Sequence, residues 1–256
     1  MVTGFRAMMF TFRMEQNKLN STRFVYGEKF YLNFNDIKGF KKEGDFVFPG
    51  MQLFVLNEQN DTVMMENDLF ENQTGGTDLQ PLLLNANLTV AKPIYSNKEY
   101  IFHVNIWDKK GTGTFKSKMK FTVVPNDKLT IENNNLNYSE IYFYSQEQGK
   151  FVTDNSATRN EKLYLVFEGL DGFNLEDGKV FFGMKVNAKD SKGNVLINED
   201  DLFEDTGYDP SELQKMLSAD VLFSGDNINN PISCEFLVWD KRGENKIRVT
   251  VDLNLK

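Results

Sequence analysis

Three groups of residues carry side chains that could do chemistry. The densest is the acidic run Glu199-Asp200-Asp201, followed by Glu204, Asp205 and Asp209. Closely spaced loop carboxylates could hold a hard cation such as Ca2+, or attract a basic partner. Their spacing fits no EF-hand, so they are read first as a solvated acidic loop, with no metal site and no cofactor assigned. The second group, Lys116, Lys118 and Lys120, recurs at period two, which puts all three ammonium groups on one face of a strand. Such a ladder could dock an anionic protein or glycan, or it could simply keep an exposed sheet from pairing edge to edge. The third group is a pair of singletons. His103 is the one histidine, set in mid-strand with no Gly-x-Ser-x-Gly elbow nearby, and Cys234 is the one cysteine. Cys234 reads as a small buried apolar residue. No catalytic residue emerges, and the partner-binding candidates are Lys116, Lys118, Lys120, Asp200, Asp201, Glu204 and Asp205.

Composition narrows the classes further. The chain has 256 residues, a net charge of −8 and a pI near 4.9. That balance argues against general binding to nucleic acid or anionic lipid, both of which need Lys and Arg to neutralise phosphates. One cysteine excludes an intrachain disulfide and any multi-cysteine zinc or redox motif. No stretch reaches the roughly 18 apolar residues of a membrane span, and Met1-Val2-Thr3-Gly4-Phe5-Arg6 lacks signal-peptide grammar. There is no Gly-rich phosphate loop, and no carboxylate pair is singled out for glycoside hydrolysis.

The elements that must position these residues come in two copies. Displaced by 133 residues, the segment from Gly27 to Glu71 falls without a gap on Asn160 to Glu204, with roughly 17 identities over about 45 positions. Asp78-Leu79-Gln80-Pro81-Leu82-Leu83 matches Glu212-Leu213-Gln214-Lys215-Met216-Leu217 at 134. Ile106-Trp107-Asp108-Lys109-Lys110-Gly111 matches Val238-Trp239-Asp240-Lys241-Arg242-Gly243 at 132. The length changes mark loops. Two domains are expected, 1–125 and 126–256, with a linker over about 125–135. Residues 1–125 carry 15 Lys+Arg against 13 Asp+Glu, and residues 126–256 carry 14 against 24, so the acidity belongs to the second copy.

Each copy reads as strands: Phe30 to Phe34, Val47 to Leu56, Tyr100 to Trp107, and Phe115 to Val123, bounded by Gly, Asn and Asp. In the last of these, Phe115, Met119, Phe121 and Val123 share a core face, as do Ile247, Val249, Val251, Leu253 and Leu255 in copy two. Trp-Asp-Lys-Lys/Arg-Gly reads as a hairpin turn in which Gly111 and Gly243 supply positive φ. Asp209-Pro210-Ser211-Glu212 predicts a short helix with Leu213, Met216 and Leu217 on one face; Pro81 limits its counterpart to a single turn. The expected architecture is all-β: two tandem β-sandwiches of about seven strands, the second with a short helix. Before copy two, Lys128-Leu129-Thr130-Ile131-Glu132 reads as a strand lead-in that has no counterpart before Met1. It suggests a natural precursor longer than these residues, with a leader or lipid anchor upstream. Asn20, Asn60, Asn72, Asn87 and Asn137 open Asn-x-Ser/Thr triplets, which chance explains in a chain this rich in asparagine.

The segment Tyr100-Ile101-Phe102-His103-Val104-Asn105-Ile106-Trp107-Asp108-Lys109-Lys110-Gly111, followed by Phe121-Thr122-Val123, resembles bacterial immunoglobulin-like modules of extracytoplasmic proteins. The resemblance covers about a quarter of each copy and implies a fold and a periplasmic or cell-surface compartment. Trp107-Asp108 and Trp239-Asp240 also resemble the loops of C2 domains, but Lys109 and Lys241 stand beside the aspartates and the second aspartate is missing, a poor start for Ca2+. The expected function is a noncatalytic binding or structural module that engages a protein or glycan. The alternatives are an accessory domain of a carbohydrate-active enzyme, for which Tyr26, Tyr95, Tyr208 and Trp239 are the aromatics to inspect, or a component of a secretion or surface assembly.

Overall fold

A computed structural model describes residues 6–14, 17–18 and 22–256. It divides into two compact units, Met1–Val124 and Pro125–Lys256. Domain 1 contains β1 (Arg6–Met14), β2 (Asn17–Lys18), β3 (Arg23–Val25), β4 (Lys29–Lys38), β5 (Pro49–Leu56), β6 (Thr62–Glu66), β7 (Leu83–Thr89), β8 (Lys98–Asp108) and β9 (Thr114–Val124). These form a smaller sheet, β2-β1-β4-β7, and a larger one, β3-β9-β8-β5-β6. Every pairing is antiparallel except that of β3, which runs parallel to the end of β9 with Phe24 opposite Val123. Two sheets of this order, with the last strand joined by a short parallel partner, make an immunoglobulin-like sandwich.

Domain 2 repeats this plan. It contains β10 (Thr130–Asn134), β11 (Glu140–Ser145), β12 (Lys150–Val152), β13 (Ser156–Ala157), β14 (Lys162–Glu168), β15 (Leu175–Glu176), β16 (Lys179–Val180), β17 (Phe182–Lys189), β18 (Val195–Glu199), α1 (Pro210–Lys215), β19 (Leu217–Leu222), β20 (Ile232–Asp240) and β21 (Lys246–Leu255). The smaller sheet is β12-β11-β14-β19 and the larger is β10-β21-β20-β17-β18, with β13 parallel to the end of β21. The strands exceed about seven per domain because short edge pieces such as β13 and β15 escape a periodicity reading.

Alternation builds both cores. In domain 1, Phe30 from the smaller sheet meets Phe102 from the larger edge-on at 5.8 Å and stacks on Phe24 at 4.6 Å. In domain 2, Phe143 meets Phe236 at 6.0 Å. These buried rings remove large apolar areas from water and lock one sheet over the other.

Three local expectations change. Neither Gly111 nor Gly243 has positive φ. A Cβ on Gly111 would collide with the Asp108 carboxylate, and one on Gly243 with the amide of Asn174, so glycine is needed for close approach. The helix α1 has Asp209 as its N-cap, accepting from Ser211 N–H at 2.9 Å, but Met216 lies beyond it and is exposed; only Leu213 of the helix is buried. In domain 1, residues 78–82 make bends and no helical turn, consistent with Pro81 having no amide hydrogen to donate.

Candidate functional site

The residues common to both copies are held by scaffold bonds. Asp108 is buried; its Oδ2 accepts from Lys41 N–H at 2.6 Å and its Oδ1 from Lys110 N–H at 2.9 Å. Asp240 does the same with Asn174 N–H at 2.7 Å and Arg242 N–H at 2.8 Å. The aspartate after each tryptophan thus clamps the hairpin turn to the loop that follows Gly39 or Gly172. The Asp-Leu-Phe motif is a second clamp. Asp68 accepts from Met51 and Phe70 N–H and pairs with Lys109 at 2.7 Å. Asp201 accepts from Met184 and Phe203 N–H and pairs with Lys241 at 2.7 Å. Burial pushes both carboxyls up, but the lysine and the two amides outweigh it and hold each below its usual value.

The carboxylates of the acidic loop of domain 2 are exposed, and several are paired with cations. Besides Asp201, Asp200 faces Lys185 at 3.3 Å, and Asp205 receives both Arg242 Nη groups at 3.0 and 3.1 Å. Arg242 also contacts Glu176 and lies over the Phe181 ring at 4.0 Å. Glu204 remains exposed. The loop and the Lys241-Arg242 turn neutralise one another, so the local charge is smaller than the sequence suggests. Among the described residues, no three His, Cys, Asp or Glu side chains converge to hold a metal.

Domain 1 differs most from domain 2 on the outer face of its larger sheet. Register brings Met65, Phe54, His103 and Lys118 into one row across β6, β5, β8 and β9. Leu56, Ile101 and Lys120 form the next row, and Gln52, Asn105 and Lys116 flank it on the other side. The rings of Phe54 and His103 stack at 4.5 Å and 7°. The imidazole is held below its usual pKa by desolvation and by the charge of Lys118, and its Nε2 has no hydrogen-bond partner. Lys120 pairs with Glu99, while among the described residues neither Lys116 nor Lys118 has an acidic partner. The corresponding rows of domain 2 are more polar: Asn198, Asn187, Glu235 and Thr250, then Val195, Lys189, Ser233 and Asp252. An apolar, aromatic surface edged with cations therefore belongs to domain 1 alone. Sequence reasoning found the lysines; it missed Phe54, Ile101 and Met65, whose alignment depends on register between strands far apart in the chain.

The remaining candidates sit elsewhere. Cys234 is buried opposite Val251 and Ala188, and burial, with the charge of Asp252, pushes its thiol up to about 12. Tyr26 is buried and its hydroxyl accepts from Lys92 N–H at 3.0 Å; Tyr95 lies beside Lys98; Tyr208 packs on Phe182 and Phe203; and the Trp239 ring lies across Gly183. Each is engaged in local packing, and they belong to separate elements in the two domains. A cavity of about 360 Å³ opens at one end of domain 1, lined in part by Lys38, Phe40, Lys42, Asp45, Thr77 and Leu79. No helix is long and apolar enough to cross a membrane among the described residues.

No family model matches the chain, and no curated protein matches it. Among solved structures it is similar to trypsin-activated alpha-2-macroglobulin from Escherichia coli, at 7% identity and TM-score 0.26, over 95% of this chain and 15% of that one. The ICAM-5 D1-D4 ectodomain fragment matches at 10% identity and TM-score 0.24, over 98% of this chain and 54% of that one. The C-terminal domain of the AgI/II polypeptide BspA from Streptococcus agalactiae matches at 12% and 0.26, over 96% of this chain and 99% of that domain. The chain thus spans a minor part of the macroglobulin and about half of the ICAM-5 fragment.

Proposed function

We propose that the chain is a noncatalytic, extracytoplasmic binding module of the periplasm or cell surface, and that it engages a protein or glycan partner through domain 1. The observation that carries this reading is the difference between two copies of one fold. Domain 2 presents mainly polar residues on its larger sheet, Asn187, Asn198, Glu235 and Thr250 among them, whereas domain 1 offers Phe54, Ile101, His103 and Met65 beside Lys116, Lys118 and Lys120. Flat apolar area supplies contact energy, and flanking cations supply steering and register toward an anionic surface. Domain 2, with Asp200, Asp201 and Asp205 already paired, serves as the structural copy; Glu204 is exposed and available to a basic partner.

The test is a binding panel of acidic polysaccharides and extracellular proteins, read on the intact chain and on a triple charge reversal, Lys116→Glu, Lys118→Glu and Lys120→Glu. Retention by at least one class of ligand that the reversal abolishes supports the reading. Retention that is unchanged by the reversal, or absent throughout, removes it.

A further inference from the structure

The two domains fill one corner of the sandwich differently. In domain 2, Val180 and Tyr208 pair through both backbone bonds, at 2.9 and 2.8 Å, and the Tyr208 ring packs on Phe182 at 5.0 Å and Phe203 at 5.9 Å. The helix α1 follows, packs on β14 and β19, and buries Leu213, which is 4% exposed. In domain 1 the same bridge joins Val47 to Thr77, both bonds at 2.9 Å, so a threonine stands where domain 2 has a tyrosine. Pro49 takes the place of Phe182 at the shift of 133, and Leu79, which matches Leu213, is 57% exposed. Two rings and a helix thus give way to smaller side chains and a bend, and the cavity of about 360 Å³ opens there. It lies on the side of β4 where Leu82 accepts from Ile37 N–H at 3.4 Å; β1 borders the opposite side.

We propose that this cavity binds one acidic sugar residue, a pyranose ring that carries a carboxylate, as a hexuronate does. The site is separate from the outer sheet face, and the inference does not rest on the role given to that face. Its volume falls at the low end of the roughly 300–1,000 Å³ of ligand pockets, which suits a ligand of one sugar ring. Ile37, Val47 and Leu82 are buried beneath it and Leu79 stands at its mouth, an apolar surface for the C–H face of such a ring. The exposed rim carries Lys42, Asp45 and Gln80. Among the described residues Lys42 has no ion-pair partner, so its ammonium is available to a carboxylate. An ionised Asp45 accepts and cannot donate, so it calls for hydroxyl donors on the same ligand. A sugar acid brings both groups, whereas an aromatic acid would satisfy the lysine and leave the aspartate facing a ring. Domain 2 has Leu175 and Gly178 at the positions of Lys42 and Asp45, so the rim, like the cavity, belongs to domain 1.

The probe is sodium glucuronate, titrated into the intact protein and read by backbone amide chemical shifts, with glucose as the neutral control. The expected result is saturable shifts confined to residues 37–47 and 77–82, with glucose weaker by at least about twofold. Lys42→Ala, at an exposed position, should weaken glucuronate about two- to fivefold, the worth of an exposed ion pair, and bring it level with glucose. Thr77→Tyr, which puts back the ring that domain 2 carries, should abolish binding while the amide shifts of domain 2 stay unchanged. No saturable shift over residues 37–47 and 77–82, glucose binding as tightly as glucuronate, or undiminished binding in either variant overturns the proposal. The outer face is tested apart from it: charge reversal of Lys116, Lys118 and Lys120 should leave glucuronate binding intact. Binding lost in that reversal but kept in Thr77→Tyr would move the sugar to the outer face and overturn the cavity site alone.

Discussion

The indole of Trp107 lies across Gly50, and a Cβ at Gly50 would run into its ring; Trp239 lies across Gly183 in the same way. Each domain therefore covers the outer face of its larger sheet with one tryptophan seated on a neighbouring strand that has no side chain. Gly50→Ala and Gly183→Ala should each destabilise their own domain by about 1–3 kcal/mol, because the ring must lift from the sheet. Denaturant titration followed by tryptophan fluorescence checks this, since each domain contains one of the two tryptophans. Unchanged midpoints in both variants would show that the ring moves aside freely.

Asp240→Ala should cost domain 2 about 2–3 kcal/mol. It strands the N–H groups of Asn174 and Arg242 in a place that water reaches poorly. Asp108→Ala should do the same to domain 1 through Lys41 and Lys110. The two losses should be confined to their own domains, which differential scanning calorimetry can resolve as shifts of separate transitions.

Asp190 gives domain 2 an acid sensitivity of its own. It is buried, and the side-chain amides of Asn229 and Asn194, with the backbone N–H of Asn194 and Lys192, hold its carboxyl well below the ordinary value of 3.8. A depressed carboxyl stabilises the fold above that ordinary value and loses its contribution as pH falls below it. Domain 2 should weaken on acidification from about pH 4 downward, and Asp190→Asn should be less stable at pH 7 but flatter over that acid range. The counterpart in domain 1, Asn57, cannot ionise in this way. Equal acid slopes in the variant and the parent would remove Asp190 from the account.

Cys234 should react with a thiol reagent only as fast as domain 2 opens. Its thiol is buried among β20, β17 and β21 and its pKa is pushed up to about 12, so thiolate is scarce in the folded state. Labelling followed against denaturant concentration should track the unfolding of domain 2. Rapid stoichiometric labelling in buffer would contradict the buried placement.

Much of the scaffold was legible in the sequence because it rests on local patterns. Alternation in Phe115 to Val123 marks a strand, Asp209-Pro210 marks a helix start, and the repeated Trp-Asp-Lys and Asp-Leu-Phe segments turned out to be hydrogen-bonded clamps. The hairpin glycines were legible as glycines but for the wrong reason: they make room for Asp108 and Asn174, a contact that no local pattern records. The candidate surface was only half legible. Lys116, Lys118 and Lys120 are two residues apart, whereas Phe54, His103 and Met65 become neighbours only through pairing of β5, β8 and β6. The pairing of Asp205 with Arg242, which neutralises much of the acidic loop, likewise joins residues far apart in the chain.

The parallel strand β13 has a mechanical consequence. Ser156 and Ala157 lie beside Asn254 and Leu255, and Lys256 N–H donates to Ala157 at 2.8 Å, so the end of domain 2 is laced to a segment near its beginning. Tension applied between those two points runs along the strands. The bridging bonds then resist in shear and must yield together, where a hairpin pulled from its open end unzips bond by bond.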